Sequence, residues 1–218
     1  MSFSGTETYA ADMIGILGGT FDRIHNGHLH IANQVVERLN LEQLQFLPCA
    51  IQVHRNLPHA SSAHRCATIE LITKESAIFA LNCLEIDRNE PSYTVDTLRQ
   101  MHRAGSSSLT LVLGVDAFNR FASWKSPEEI LRLANLVVCR RPGYDADQDL
   151  YRQHRVTTTD EFEASGAGAI LMLEVDAPYC SSSSVRAALD TGKIPESSLP
   201  PAVADYIDQH DLYRKPGD

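Results

Sequence analysis

The chain is poor in positive charge: 19 Lys and Arg stand against 28 Asp and Glu, a formal net charge of −9 with an isoelectric point near 5.4. A protein that coats nucleic acid needs a basic surface to neutralise phosphates, so that class is excluded, whereas small anionic substrates need only a few local arginines. Cysteine is sparse and scattered, at 49, 66, 83, 139 and 180, odd in number and never in a C-x-x-C pair. That spacing supports neither a disulfide framework nor a zinc site and reads as free thiols in a reducing, cytoplasmic setting. No apolar run approaches membrane-spanning length, so no membrane partner is expected. Residues 1–12 are polar and acidic, without the apolar stretch of a signal peptide, and read as an N-terminal extension. Internal repeats are missing, and the only low-complexity tract is Ser181–Ser184. Neither G-x-G-x-x-G nor a Gly-Lys-Ser/Thr loop occurs, which removes the dinucleotide fingerprint and the P-loop.

What is present concentrates in residues 13–30, MIGILGGTFDRIHNGHLH. Met13, Ile14, Ile16 and Leu17 form a short apolar run suited to a buried parallel strand. Gly18 and Gly19 then permit a sharp turn close to a ligand. Leu29, Ile31, Ala32, Val35, Val36 and Leu39 keep helical spacing. His25 and His28 therefore flank a helix N-terminus, where free amides and the macrodipole favour phosphate. A nucleoside triphosphate site follows from two imidazoles and a ring of amides facing one anionic point. Two histidines three residues apart could share a metal, but no third ligand lies nearby, so no protein-held metal is expected.

Strands are predicted over 13–17, 44–48, 79–86, 109–113, 135–139 and 169–175. Helices are predicted over 27–39, 63–75, 94–104, 127–133, 183–190 and 201–210, with Thr94 as cap of the third. The alternation implies an α/β fold: one doubly wound, mainly parallel sheet forming a single domain over 13–214, with ligands beyond the carboxyl ends of the strands. Segment 141–168 reads as an irregular insertion with a helical turn around 147–154. Ser181–Ser184, ahead of Val185 and Arg186, has the chemistry of a helix cap.

Several separated motifs together carry a resemblance: GGTFDRIHNGHL (18–29), RNEPSYTVDTL (88–98), LGVDAFNRFASWKS (113–126), VVCRRPG (137–143) and SSSSVRAAL (181–189). From about Met13 to Arg214 the chain resembles bacterial nicotinate-nucleotide adenylyltransferase, within the nucleotidyltransferase superfamily that carries H-x-G-H and a Rossmann-like fold. The resemblance implies transfer of the adenylyl group of ATP to nicotinate mononucleotide, giving nicotinate adenine dinucleotide and pyrophosphate in NAD biosynthesis, with Mg²⁺ accompanying ATP.

The family pattern gives His25 and His28 to the ATP phosphates and makes them, with Arg186, the catalytic set. Gly18, Gly19, Thr20, Phe21, Gly114, Asp116, Arg141, Ser181 and Ser183 complete the implied ATP site, with the Gly114–Asp116 pair at the ribose. His54 and Arg55 would meet the mononucleotide phosphate, Tyr93 and Thr94 the nicotinate carboxylate, and Trp124 the pyridine ring. Lys125 adds a cation beside that ring or is simply solvated, and Arg65 has a family counterpart that is equally a structural residue. Of the two arginines ending the fifth strand, solvation suits Arg140 better than Arg141.

Three departures stand out. Arg23 replaces a usual proline, which predicts a less rigid loop, Cys49-Ala50 replaces an Asn-rich pair, and Ser182 and Ser184 vary the family pattern while Ser183 keeps a hydroxyl where the family has threonine. Two other readings fit parts of the pattern. Another adenylyl- or cytidylyltransferase of the superfamily would share the histidines but have no reason for Tyr93-Thr94 with Trp124. A non-catalytic nucleotide-binding module would not need His25, His28, Asp116 and Arg186 together. A homo-oligomer is left open.

Overall fold

The computed structural model describes residues 13–51, 57–88, 90–106, 108–140, 146–147, 149–176 and 198–213. In chain order the first half runs β1 (Ile14–Gly19), α1 (Asn26–Leu39), β2 (Gln43–Pro48), α2 (Ser62–Thr73), β3 (Phe79–Leu81), α3 (Leu84–Arg88) and α4 (Thr94–Arg103). The second half runs β4 (Leu109–Gly114), α5 (Val115–Phe118), α6 (Pro127–Leu133), β5 (Asn135–Arg140), β6 (Arg155–Val156), α7 (Thr159–Ala164), β7 (Ile170–Glu174) and α8 (Pro201–Gln209). Single 3-10 turns lie at Phe121–Ser123 and Arg152–His154.

The strands form one seven-stranded sheet in the order β3-β2-β1-β4-β5-β7-β6, and every pairing is parallel. Side chains of a strand alternate between faces, and the core divides accordingly. Leu17, Val112, Val137 and Cys139 pack on one side with Ala32, Val35 and Leu39 of α1 and Val203 and Ile207 of α8. Ile16, Leu111, Leu113, Leu136 and Val138 pack on the other with Val95, Leu98 and Met101 of α4 and Ile130 of α6. The sheet is therefore buried on both faces, as a doubly wound fold requires. Gly15 is needed at its position in β1, because a Cβ there would lie 2.6 Å from Leu41 Cδ1.

Winding reverses between β1 and β4. The chain moves outward from β1 to β2 and β3 on one side, then returns to β4 and β5 on the other. The carboxyl ends of β1, at Gly18 and Gly19, and of β4, at Gly114, thus border the crevice where ligands of such sheets bind.

Three expectations are corrected. The strand expected over 79–86 stops at Leu81. Asn82 Oδ1 accepts the Leu84 amide at 2.9 Å while its Nδ2 donates to Gln45 Oε1 at 2.7 Å, and this side-chain turn starts α3. Tyr93, not Thr94, occupies the N-cap of α4. The described part of 141–168 is more ordered than an irregular insertion, because β6 adds to the sheet edge and α7 follows it. Thr158 and Glu161 close a capping box there, a T-x-x-E signal readable in the sequence. The doubly wound, mainly parallel sheet is as expected, and among the described strands every pairing is parallel. The helix expected over 183–190 lies outside the described residues.

Candidate active site

The loop joining β1 to α1 places both histidines. His25 is the N-cap of α1, with extended backbone (φ −143, ψ 166), and is 5% exposed. Its amide donates to His28 Nδ1 at 3.3 Å. A neutral imidazole has one donor and one acceptor nitrogen, so accepting at Nδ1 puts the His28 proton on Nε2. The two rings stack with centroids 3.7 Å apart, and Phe21 meets His28 edge-on at 5.2 Å. This pairs two imidazoles over the first turn of a 14-residue helix, at the carboxyl end of a central strand.

The loop is held from outside. Arg65, 2% exposed on α2, donates from Nη1 to the Thr20 carbonyl at 2.6 Å and from Nη2 to Ser62 Oγ at 3.1 Å, so its role is to fix the loop's backbone. Asp22 accepts the amides of His59 at 2.8 Å and Ala60 at 3.0 Å, and contacts His59 Nδ1 at 3.0 Å. Burial pushes the Asp22 carboxyl up, but these donors together with the Tyr213 hydroxyl outweigh it and hold the group below the ordinary value. Burial, reinforced by Asp22, pushes the Tyr213 hydroxyl well above its usual range. Arg23 lays its guanidinium 3.8 Å from the Tyr213 ring centre. Its backbone φ is +83, a value proline's ring forbids. The expected looseness at Arg23 is thus met by a different loop conformation, one anchored on the C-terminal segment.

A cleft of about 140 Å³ opens beside these glycines, between the ends of β1, β2 and β4, α3, α4 and the segment after the 3-10 turn. Gly18, Gly19, Cys49, Ser92, Thr94 and Trp124 are among its walls. Gly18 and Gly114 have open space where a Cβ would stand, leaving backbone accessible. Cys49 donates its amide to the Gly19 carbonyl at 2.9 Å, and Ser92 Oγ accepts the Ala50 amide at 3.0 Å. The unusual Cys49-Ala50 pair therefore forms the seam where the end of β2 meets β1 and the approach to α4. Trp124 is half-buried, its ring 5.5 Å from Phe121 in edge-to-face contact.

Asp116 is exposed in the first turn of α5, and Gly114 is that helix's N-cap. Lys125 is not among the cleft walls. Its Nζ pairs with Asp96 Oδ2 at 2.7 Å and lies 4.5 Å from the Tyr93 ring centre. Lys125, acting first as a hydrogen-bond donor, and then Arg99 hold Asp96 below the ordinary carboxylate range against a burial effect that would raise it. Arg140 pairs with Glu174 at 3.4 Å, in keeping with a solvated role. His54, Arg55, Arg141, Ser181, Ser183 and Arg186 lie outside the described residues.

Sequence reasoning missed two cleft residues, Glu85 and Thr97. Thr97 Oγ1 donates to Glu85 Oε1 at 2.7 Å. The available signal was an acid inside the apolar run FALNCLEI. Among the described residues no cluster of three His, Cys, Asp or Glu could cage a metal ion, and no helix is long and apolar enough to cross a membrane.

The profile of the cytidylyltransferase-like family matches residues 16–188. The probable nicotinate-nucleotide adenylyltransferase of Methylococcus capsulatus is 39% identical over 210 residues, covering 93% of this chain and 100% of the relative. Its counterpart in Hydrogenovibrio crunogenus is 36% identical over 208 residues, covering 93% and 98%. In three dimensions the chain superposes on the Plasmodium falciparum nicotinic acid mononucleotide adenylyltransferase complexed with NaAD. The TM-score is 0.70 at 20% identity, over 93% of this chain and 97% of the other, a likeness of fold.

Proposed function

The chain belongs to the nicotinate-nucleotide adenylyltransferase family, and from that premise we propose that it joins ATP to nicotinate mononucleotide. A phosphate oxygen of the mononucleotide attacks the α-phosphorus of ATP. The bond from that phosphorus to the bridging oxygen breaks, and pyrophosphate leaves. Such a displacement needs alignment and charge neutralisation more than a protein nucleophile. The observation that carries the reading is the stacked His25–His28 pair over the N-terminus of α1, opening beside the cleft that Trp124 lines.

In this reading the triphosphate crosses Gly18, Gly19, Thr20 and Phe21, and His28 donates Nε2–H to a phosphate oxygen with His25 beside it. Gly114 and Asp116 take the adenosine ribose, a carboxylate being suited to accept both hydroxyls. Arg141, Ser181, Ser183 and above all Arg186 hold the phosphates on the leaving side. The mononucleotide sets its phosphate on His54 and Arg55, its ring on Trp124, and its carboxylate toward the first turn of α4. The amides of Asp96 and Thr97 bond back to the Tyr93 carbonyl, whereas those of Thr94 and Val95 have no intrahelical partner. Mg²⁺ would accompany ATP, because this ion usually keeps several waters and binds through substrate phosphates. Bound there it would neutralise charge on the leaving pyrophosphate. The described cysteines are free thiols, with Cys66 and Cys83 left reduced although their sulfurs lie 3.6 Å apart, which supports a reducing, cytoplasmic location.

Phosphorus NMR of a mixture of protein, ATP, Mg²⁺ and nicotinate mononucleotide tests the reaction class. Expected are the paired phosphorus signals of a dinucleotide and free pyrophosphate in equal amounts. ADP and inorganic phosphate alone would make the chain a hydrolase or a phosphoryl transferase and overturn the proposal.

A further inference from the structure

Glu85, on α3, is only 5% exposed, yet it forms part of the wall of the cleft that Thr94 and Trp124 also line. Its Oε1 accepts the Thr97 hydroxyl, while Oε2 accepts no hydrogen bond from a described residue. No Lys, Arg or His nitrogen of the described residues lies within 4.0 Å of either oxygen. Arg88, on the same helix, donates to Thr97 Oγ1 at 3.3 Å and forms no ion pair with Glu85. Burying a carboxylate is costly unless a positive charge or a full set of donors meets it. Among the described residues one donor meets it, and the group also borders the cleft.

We propose that Glu85 is the counter-ion of a cationic ring and makes this cleft select a pyridinium over a neutral base; the proposal rests on the reading that the cleft takes nicotinate mononucleotide. The ring nitrogen of that molecule is bonded to ribose and carries a full positive charge. Trp124 offers a π face that attracts a cation more than a neutral ring. Glu85 adds a negative charge that is itself almost fully buried, where electrostatic attraction exceeds that in bulk water. Thr97 then has a definite part. It is a positioning residue, fixing the carboxylate from α4, the same helix whose first turn borders the substrate. The acid group and the ring charge would be read separately, by α4 amides and by Glu85.

The test compares nicotinate mononucleotide with its 1,4-dihydro form, which keeps the phosphate, ribose and carboxylate but has a neutral ring. Affinities are measured by calorimetry for the wild-type protein, Glu85→Gln and Glu85→Asp, with ATP affinity as the control for folding. The wild type should favour the charged ring by at least about tenfold, the sum of a cation–π contact and an ion pair. Glu85→Gln keeps the shape and the Thr97 contact and should lose most of that ratio with ATP affinity unchanged. Glu85→Asp keeps the charge and should retain most of it. An undiminished ratio in Glu85→Gln, equal loss in both variants, or no wild-type preference each overturns the proposal. If Glu85→Gln does not fold, the wild-type ratio and the Glu85→Asp ratio still decide. Failure of the catalysed reaction is distinguishable, because it would appear as absent turnover with ring-charge selectivity in binding still measurable.

Discussion

Replacing His28 with alanine separates a catalytic role from a structural one. The ring accepts the His25 amide at a long 3.3 Å, stacks on His25 and meets Phe21 edge-on. A neutral hydrogen bond contributes about 0.5–1.5 kcal/mol net. For a chain of this size that corresponds to a fall in Tm of roughly 2–4 °C per kcal/mol. The loss in turnover should be far larger. With Nδ1 occupied by the backbone, Nε2–H is fixed as a donor, and a preorganised donor aimed at charge developing in a transition state is worth about 2.7–4 kcal/mol. His28→Ala should therefore lower kcat by about a hundredfold to a thousandfold while unfolding only slightly earlier. Steady-state production of the dinucleotide at saturating ATP, Mg²⁺ and mononucleotide, beside a thermal melt, reads both effects. Near-wild-type turnover would refute the donor role, and a collapse of Tm would make the residue structural.

Lys125→Ala should leave the preference for the acid over the amide mononucleotide unchanged, because its ammonium is committed to Asp96 and the Tyr93 ring; a large drop in the kcat/KM ratio would return the lysine to the pocket. Arg23→Pro should lower Tm, although proline usually stiffens loops, because φ +83 is closed to it and strain of this kind costs about 1–3 kcal/mol; an unchanged or raised Tm would contradict the described loop. Asp22 has a lowered folded-state pKa, so its contribution is full well above the unfolded value of about 4 and is lost as pH falls through the folded value. Asp22→Asn should accordingly be less stable at neutral pH and show a flatter Tm profile in acid, and parallel profiles would remove Asp22 from the loop's anchorage.

The fold was legible wherever a local pattern and a buried face agreed. The apolar strand at 14–17, the glycine turn and the helical spacing from Leu29 to Leu39 each demanded one arrangement, and the histidines followed from it. The boundary near Leu81 was hidden because FALNCLEI is mostly apolar, and the contacts of Asn82 with Gln45 and Leu84 mark where the strand ends. The contact with Gln45 is tertiary, as is the burial of Glu85. The hold of Tyr213 on Arg23 joins residues far apart in the chain, and no spacing rule announces it. Lys125 illustrates the reverse problem: proximity to Trp124 in sequence suggested a substrate cation, while Asp96 on α4 takes its charge. The capping box at Thr158 and Glu161 was readable, and the poverty of apolar residues around it masked α7.

The central claim is best tested by competition in one vessel. Nicotinate and nicotinamide mononucleotides at equal concentration, with limiting ATP and Mg²⁺, should yield both dinucleotides in the ratio of their kcat/KM values. A charge-assisted hydrogen bond at the carboxylate contributes about 1.5–3 kcal/mol, so nicotinate adenine dinucleotide should exceed the amide product by roughly ten to a hundredfold. Equal amounts, or no dinucleotide from either, would contradict the account.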